Sequence, residues 1–105
     1  MSGKSDFDLS FAALREKFRE RLAVYGQDLA AERQAFAIAP TAAIVLRLKA
    51  LAHTLAGSAG TFGHADVSDA ASELEHAAAE VLGGADAAAN ITPLRRLIRE
   101  VELAS

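Results

Sequence analysis

Cysteine and tryptophan are absent from this chain of 105 residues, and proline occurs only twice. Without cysteine there is no disulfide, no thiolate zinc site and no thiol nucleophile, which suits a reducing compartment. Aromatic residues make up 6% of the chain, and valine and isoleucine are also sparse, so the residues that favour strands are in short supply. An excess of positive charge is missing too. The formal net charge is −3 and the pI near 5.5, which argues against a nucleic-acid or anionic-membrane surface. No apolar run approaches the roughly 18 residues of a membrane-spanning helix, and Met1 to Asp8 lacks the hydrophobic segment of a signal peptide. A cytoplasmic protein is the expectation, and Met1 at the start makes it a free-standing one.

What the chain does have is alanine, a strong helix former that lets helices pack closely, within a composition that is 51% hydrophobic. Its length fits one domain and allows burial of roughly 65% of the unfolded surface. From Ser10 to Ala37 the residues Phe11, Leu14, Phe18, Leu22, Tyr25, Leu29 and Phe36 recur at helical spacing, the stripe of a long amphipathic helix with Gly26 as the point where it would bend. Pro40 disfavours helical geometry at Ala39 and suits a first helical turn, so the chain should break around Ile38 to Pro40. A second helix is expected from about Thr41 to Phe62. A third, capped by Asp66 or Ser68, carries Val67, Leu74, Val81 and Leu82 and stops at Gly83-Gly84. Thr92-Pro93 reads as N-cap and first-turn proline of a last helix with Leu94, Leu97, Ile98 and Val101 inward. Short connections between amphipathic helices imply antiparallel neighbours. The fold class is therefore all-α, an up-down antiparallel four-helix bundle over residues 9–105. Residues 1–8 precede it as a flexible segment from which Phe7, with the neighbouring Leu9, is placed to dock.

The chemistry concentrates in His53-Thr54-Leu55-Ala56-Gly57-Ser58-Ala59-Gly60-Thr61-Phe62-Gly63, where a histidine in a helical run is followed by three glycines at intervals of three. Each glycine inside a helix costs about 1 kcal/mol relative to alanine, so this helix gives up stability in return for something else. At about 100° per residue, Ile44, Leu48, Leu51, Leu55, Ala59 and Phe62 form the buried stripe, and His53 lies about 160° from Leu55. The imidazole therefore points outward, on a face shared with Lys49, Gly57 and Gly60. A neutral imidazole is a nucleophile able to form a covalent intermediate. The wheel places no Asp or Glu of the same helix within a turn of His53, so helping groups have to come from elsewhere.

This run, together with Leu74-Glu75 on the next helix, resembles the signature of histidine-containing phosphotransfer (HPt) domains. That pattern is a histidine, any residue, leucine, usually lysine, glycine, serine, a small residue and a further glycine, with a leucine-glutamate pair one helix later. The resemblance covers the central third of the chain closely. It implies a four-helix bundle in which His53 accepts a phosphoryl group from a receiver-domain aspartate and passes it to another receiver. It implies also that the receiver supplies the magnesium ion and most of the catalytic groups, so the carrier needs no cofactor and no metal of its own and is not an enzyme. The implied partners are response regulators or receiver domains and a hybrid histidine kinase, with the carrier a monomer. Phosphoryl transfer depends mainly on positioning and charge neutralisation, so a rigid helix offering an imidazole suffices.

The chain departs from the pattern at Ala56, where the family commonly has lysine. Lys49, one turn before His53, is the candidate substitute. Gly57 and Gly60 read as clearance for a partner, with close helix crossing as the plainer alternative. Ser58, about 140° from His53 on the wheel, is a local hydrogen-bonding residue by resemblance or else a small helix contact. Leu46 is a candidate partner contact near the same face. His64, at a helix end, and His76, beside Glu75 and Glu80, read as solvated surface, and the spacing of the three histidines matches no compact helical ligand pair. The charged residues from Arg15 to Arg21 and the cluster Arg95, Arg96 and Arg99 read as wet helix faces. A non-phosphorylated helical adaptor using the same face is the alternative reading. A kinase dimerisation bundle is disfavoured because the chain ends at Ser105 without an ATP-binding domain.

Overall fold

The computed structural model describes residues 3–105, with side chains from Leu9 onward. Met1, Ser2 and the side chains up to residue 8 lie outside the described residues, and with them the expected flexible segment and the docking of Phe7. Four helices account for almost all of the remainder: α1 (Gly3–Ile38), α2 (Ala42–Thr61), α3 (Ala65–Leu82) and α4 (Ile91–Ala104), with a 3-10 turn (Ala87–Asn90) leading into α4. Each helix packs on its neighbours in the chain and α4 closes the ring on α1, while the backbones of the diagonal pairs α1–α3 and α2–α4 stay apart among the described residues. The cross-contacts give the directions. Glu32 meets Arg47 while Phe18 meets Phe62, and Ser68 meets Ala56 while Glu75 meets His53. In both helix pairs the number rises on one helix as it falls on the other, so neighbours are antiparallel, as short connections require. No described helix is long and apolar enough to cross a membrane.

The core is made of one stripe from each helix. Phe18, Leu22, Leu29 and Phe36 come from α1 and Ile44, Leu48, Leu55 and Ala59 from α2, while Val67 and Leu74 come from α3 and Leu94, Leu97, Ile98 and Val101 from α4. Val45 and Ala52 are also buried, and Leu51, Phe62 and Val81 are half-buried against this core. Three apolar residues expected inside are not: Leu14 is 51% exposed, and Leu9 and Leu82 also face solvent. With 36 residues, α1 runs about 54 Å at 1.5 Å per residue, nearly the 57 Å long axis of the molecule, whereas α2 has 20 residues. Phe62, just past the end of α2, stacks on Phe18 and Phe11 with ring centroids 5.0 and 5.8 Å apart, whereas Leu14, about 40–60° round the helix from both, is turned off that line of contact. Helix α1 continues through Gly26 without a break. The glycine there serves close packing, because a Cβ would come within 3.3 Å of Val101 Cγ1 on α4.

Two expected caps are corrected. The N-cap of α3 is His64, without a side-chain cap bond. Gly63 adopts φ +84°, a left-handed turn open to glycine, which reverses the chain so sharply that the helix has begun before Asp66 or Ser68 is reached. At the last helix, Asp86 caps the 3-10 turn by accepting the Ala88 N–H at 2.9 Å, and α4 follows directly from Ile91. Thr92 is therefore inside the helix rather than its cap. Pro93 is still in the first turn, where its missing N–H breaks no helical bond. Thr41, expected as the first residue of α2, is its N-cap, the hydroxyl accepting the Ile44 N–H at 3.4 Å.

These placements distinguish two leucines of one sequence stripe. Leu22→Ala, at a position with no exposed surface, is expected to lower unfolding free energy by about 2–5 kcal/mol. Leu14→Ala should change it by no more than about 0.5 kcal/mol. Urea denaturation of both variants checks the pair, and comparable losses would contradict the assigned edge of the core.

Candidate functional site

Burial of Ala52 and Leu55 on either side of it fixes the rotation of α2 and leaves the His53 side chain outermost, 77% exposed. Its Nδ1 lies 2.7 Å from Glu75 Oε2 on α3. The Glu75 side chain is 28% exposed, and its neighbour Leu74 is fully buried, which pins this part of α3 to the core. An ionised carboxylate only accepts hydrogen bonds, so Nδ1 carries the proton and donates it to Glu75. The neutral ring then keeps its lone pair on Nε2. The same pairing fixes the plane of the ring about its outer bond.

The helix pair that creates this contact is tied together one turn further on. The Ser68 hydroxyl donates to the Ala56 carbonyl at 2.7 Å, linking α3 to the α2 backbone. Above it, a Cβ at Gly60 would sit 3.4 Å from Ser68 Oγ. Gly60 is exposed but lies at the α2–α3 crossing, so its glycine serves the approach of the two helices. Gly57 differs: it is exposed and a Cβ there would meet nothing within 4 Å. Nothing inside the described protein requires glycine at position 57.

The other expected site residues fall around this centre. Lys49 is half-buried on α2 one turn before His53 and has no ion-pair partner among the described residues. Leu46 is exposed. Ala56 is half-buried, its methyl against the core, and the place where the pattern has a lysine carries no charge. Ser58 is half-buried on another side of the helix and its hydroxyl bonds no described residue, so it does not join the His53 group. His64 is half-buried with its ring 5.7 Å from that of Phe18. The His76 Nδ1–H donates to the Ser72 carbonyl at 2.8 Å. Neither histidine adjoins His53.

Glu75 and Ser68 are the positions around His53 that the sequence alone did not bring into its group. A search along α2 for a carboxylate near His53 found none, because the partner comes from the neighbouring helix. The Leu74-Glu75 pair was visible as a pattern, and an antiparallel register drawn between the two helices would have aligned Glu75 with His53.

The family model described as Hpt domain matches residues 13–104, nearly the whole chain. Neither curated proteins nor solved structures give a significant match. With a helical bundle that presents an exposed, carboxylate-braced histidine and a family match of this extent, the chain belongs to the Hpt domain family, whose members carry phosphoryl groups on histidine in phosphorelays.

Proposed function

We propose that the protein is a phosphoryl carrier in which His53 Nε2 accepts the phosphoryl group of a receiver-domain aspartyl phosphate and hands it to the aspartate of a second receiver. The observation that carries this reading is an imidazole 77% exposed at mid-helix whose Nδ1 is held 2.7 Å from Glu75. With that nitrogen protonated, the lone pair on Nε2 attacks phosphorus, the N–P bond forms and the P–O bond to the aspartate breaks. The aspartate leaves as a carboxylate. The proton stays on Nδ1, where the Glu75 carboxylate faces the positive charge that the ring acquires. In the return step a second receiver's carboxylate attacks phosphorus and the neutral imidazole leaves.

Carrying rather than turning over a substrate suits the surroundings of His53, where Glu75 braces the ring, Lys49 lies one turn before it and the residues one turn beyond it, Ala56 and Gly57, are small. Gly57 leaves open the space one turn beyond His53, through which the receiver approaches, and Leu46 offers an apolar contact on the same helix. Lys49 stands in for the cation missing at Ala56 and draws phosphoryl oxygens toward α2. The reading takes a hybrid kinase and receiver domains as the partners, the cytoplasm as the compartment and a monomer as the carrier.

Transfer from a panel of phosphorylated receiver domains, followed by acid-labile label, tests the assignment. Wild type is expected to take the label and His53→Gln to take none; equal labelling of both would rule out His53 as the acceptor, and no labelling of either would leave the adaptor reading. In the same assay Lys49→Ala should slow transfer about five-fold, the loss of an exposed charge contact worth ~1 kcal/mol, and an unchanged rate would remove Lys49 from the site. Gly57→Ala separates stability from activity. With no clash within the protein it should raise stability by about 1 kcal/mol in thermal unfolding while slowing transfer, and transfer at the wild-type rate would show that the space is not used.

A further inference from the structure

At one end of the bundle, where α1 finishes and α4 begins, lies a cleft of about 510 Å3. Phe36, Ala37, Ile91 and Leu94 line it, and Arg33 and Arg95 stand among them. Phe36 and Leu94 belong to the core, but Ile91 is 46% exposed and Ile38, the next residue along α1 from the cleft, is 86% exposed. Apolar surface continues outward here from the core instead of ending in a polar rim.

The charges at the cleft are uncompensated. Neither Arg33 nor Arg95 has a carboxylate partner among the described residues. Arg96, one residue further on, is by contrast tied to Glu73, a hydrogen bond that holds its guanidinium above the usual arginine pKa. One acidic residue, Asp86, also lines the cleft; its Oδ1 accepts the Ala88 N–H as the cap of the 3-10 turn, and its single negative charge leaves the two arginines in excess. The walls are helix ends and a 3-10 turn, with no strand edge among them, so an extended peptide would find no ladder of backbone partners. A helix, which satisfies its own backbone, has no such need. Two arginines on a chain of net charge −3 make a short-range match for a few carboxylates, not a surface for a polyanion.

From these features we infer that the cleft is a docking site for an acidic amphipathic helix of a protein partner, its apolar side chains on Phe36, Ile91 and Leu94 and its carboxylates on Arg33 and Arg95. None of the lining residues comes from α2 or α3, the helices that carry His53 and Glu75. A partner docked here leaves the imidazole open, so one protein can remain tethered while a receiver engages His53.

The probes are two synthetic 14-residue helical peptides with leucines at the first, fourth, eighth and eleventh positions, one flanked by glutamates and the other by lysines at the same places. In titrations followed by amide NMR of the full chain, the glutamate peptide is expected to shift residues 33–38 and 87–95 and to leave His53 unmoved. The double variant Arg33→Glu/Arg95→Glu should bind it about ten-fold more weakly and should bind the lysine peptide more tightly than wild type does. Both arginines are exposed, and an unchanged far-UV circular dichroism spectrum checks that the variant is folded. Absence of binding by the glutamate peptide, equal binding of both peptides by wild type, or shifts centred elsewhere would each overturn the inference. So would decanoate shifting these residues when the glutamate peptide does not, since the cleft would then be a site for a small anionic amphiphile.

Discussion

The close approach of α2 to α3 is the constraint on which the rest of the molecule depends. It is built from small buried side chains, Ala52 and Ala59 on one helix and Ala70, Ala71 and Ala78 on the other, which let two backbones come together where larger residues would hold them apart. The Ser68 hydroxyl locks the pair by bonding the Ala56 carbonyl, and the bare Cα of Gly60 lies over that bond. Given this spacing and register, a carboxylate on α3 can reach an imidazole on α2 although both side chains leave the core on its outer side. Separated by one further helical turn of slippage, about 5.4 Å, Glu75 and His53 would not meet.

The glycine series beside His53 thereby divides into separate tasks. Gly63 turns the chain, with φ +84°. Gly60 admits α3, and Gly57 admits nothing that belongs to this protein. Only the last represents stability given up without an internal return, and it is the one nearest the imidazole along the chain. The same division applies to charge. Glu75 is positioned to orient the ring and to face positive charge on it, whereas the negative charge of a phosphoryl group meets no fixed cation at Ala56. In the proposed transfer, neutralising that charge falls to Lys49 and to the docked partner, as for a carrier that reacts only inside a complex.

Periodicity in the sequence was enough for the helices and for the outward direction of His53, because burial of Leu48, Ala52, Leu55 and Ala59 fixes the rotation of α2 from within its own stripe. It was not enough where a second helix decides. Leu14 continues the stripe of α1 but is turned off the line along which Phe11 and Phe18 stack on Phe62. Asp66, Ser68 and Thr92 are all good capping residues, and which residue caps depends on where the chain can reverse. Gly63 and the 3-10 turn at residues 87–90 settle this in ways that no local preference expresses. The His53–Glu75 pair spans 22 positions and becomes visible only once an antiparallel register is drawn. Asn90 lay furthest from view: it is fully buried, with neither amide atom hydrogen-bonded among the described residues, a burial that its polar side chain does not foreshadow.

The central claim is that Glu75 reserves Nδ1 of His53 and so leaves Nε2 to carry phosphorus. Phosphorus–nitrogen correlated NMR of the 15N-labelled protein, phosphorylated by a receiver domain, reads that atom directly. The account predicts a single phosphorus resonance coupled to Nε2 of His53, with Nδ1 still protonated. Phosphorus coupled to Nδ1, or a resonance on His64 or His76, would contradict it.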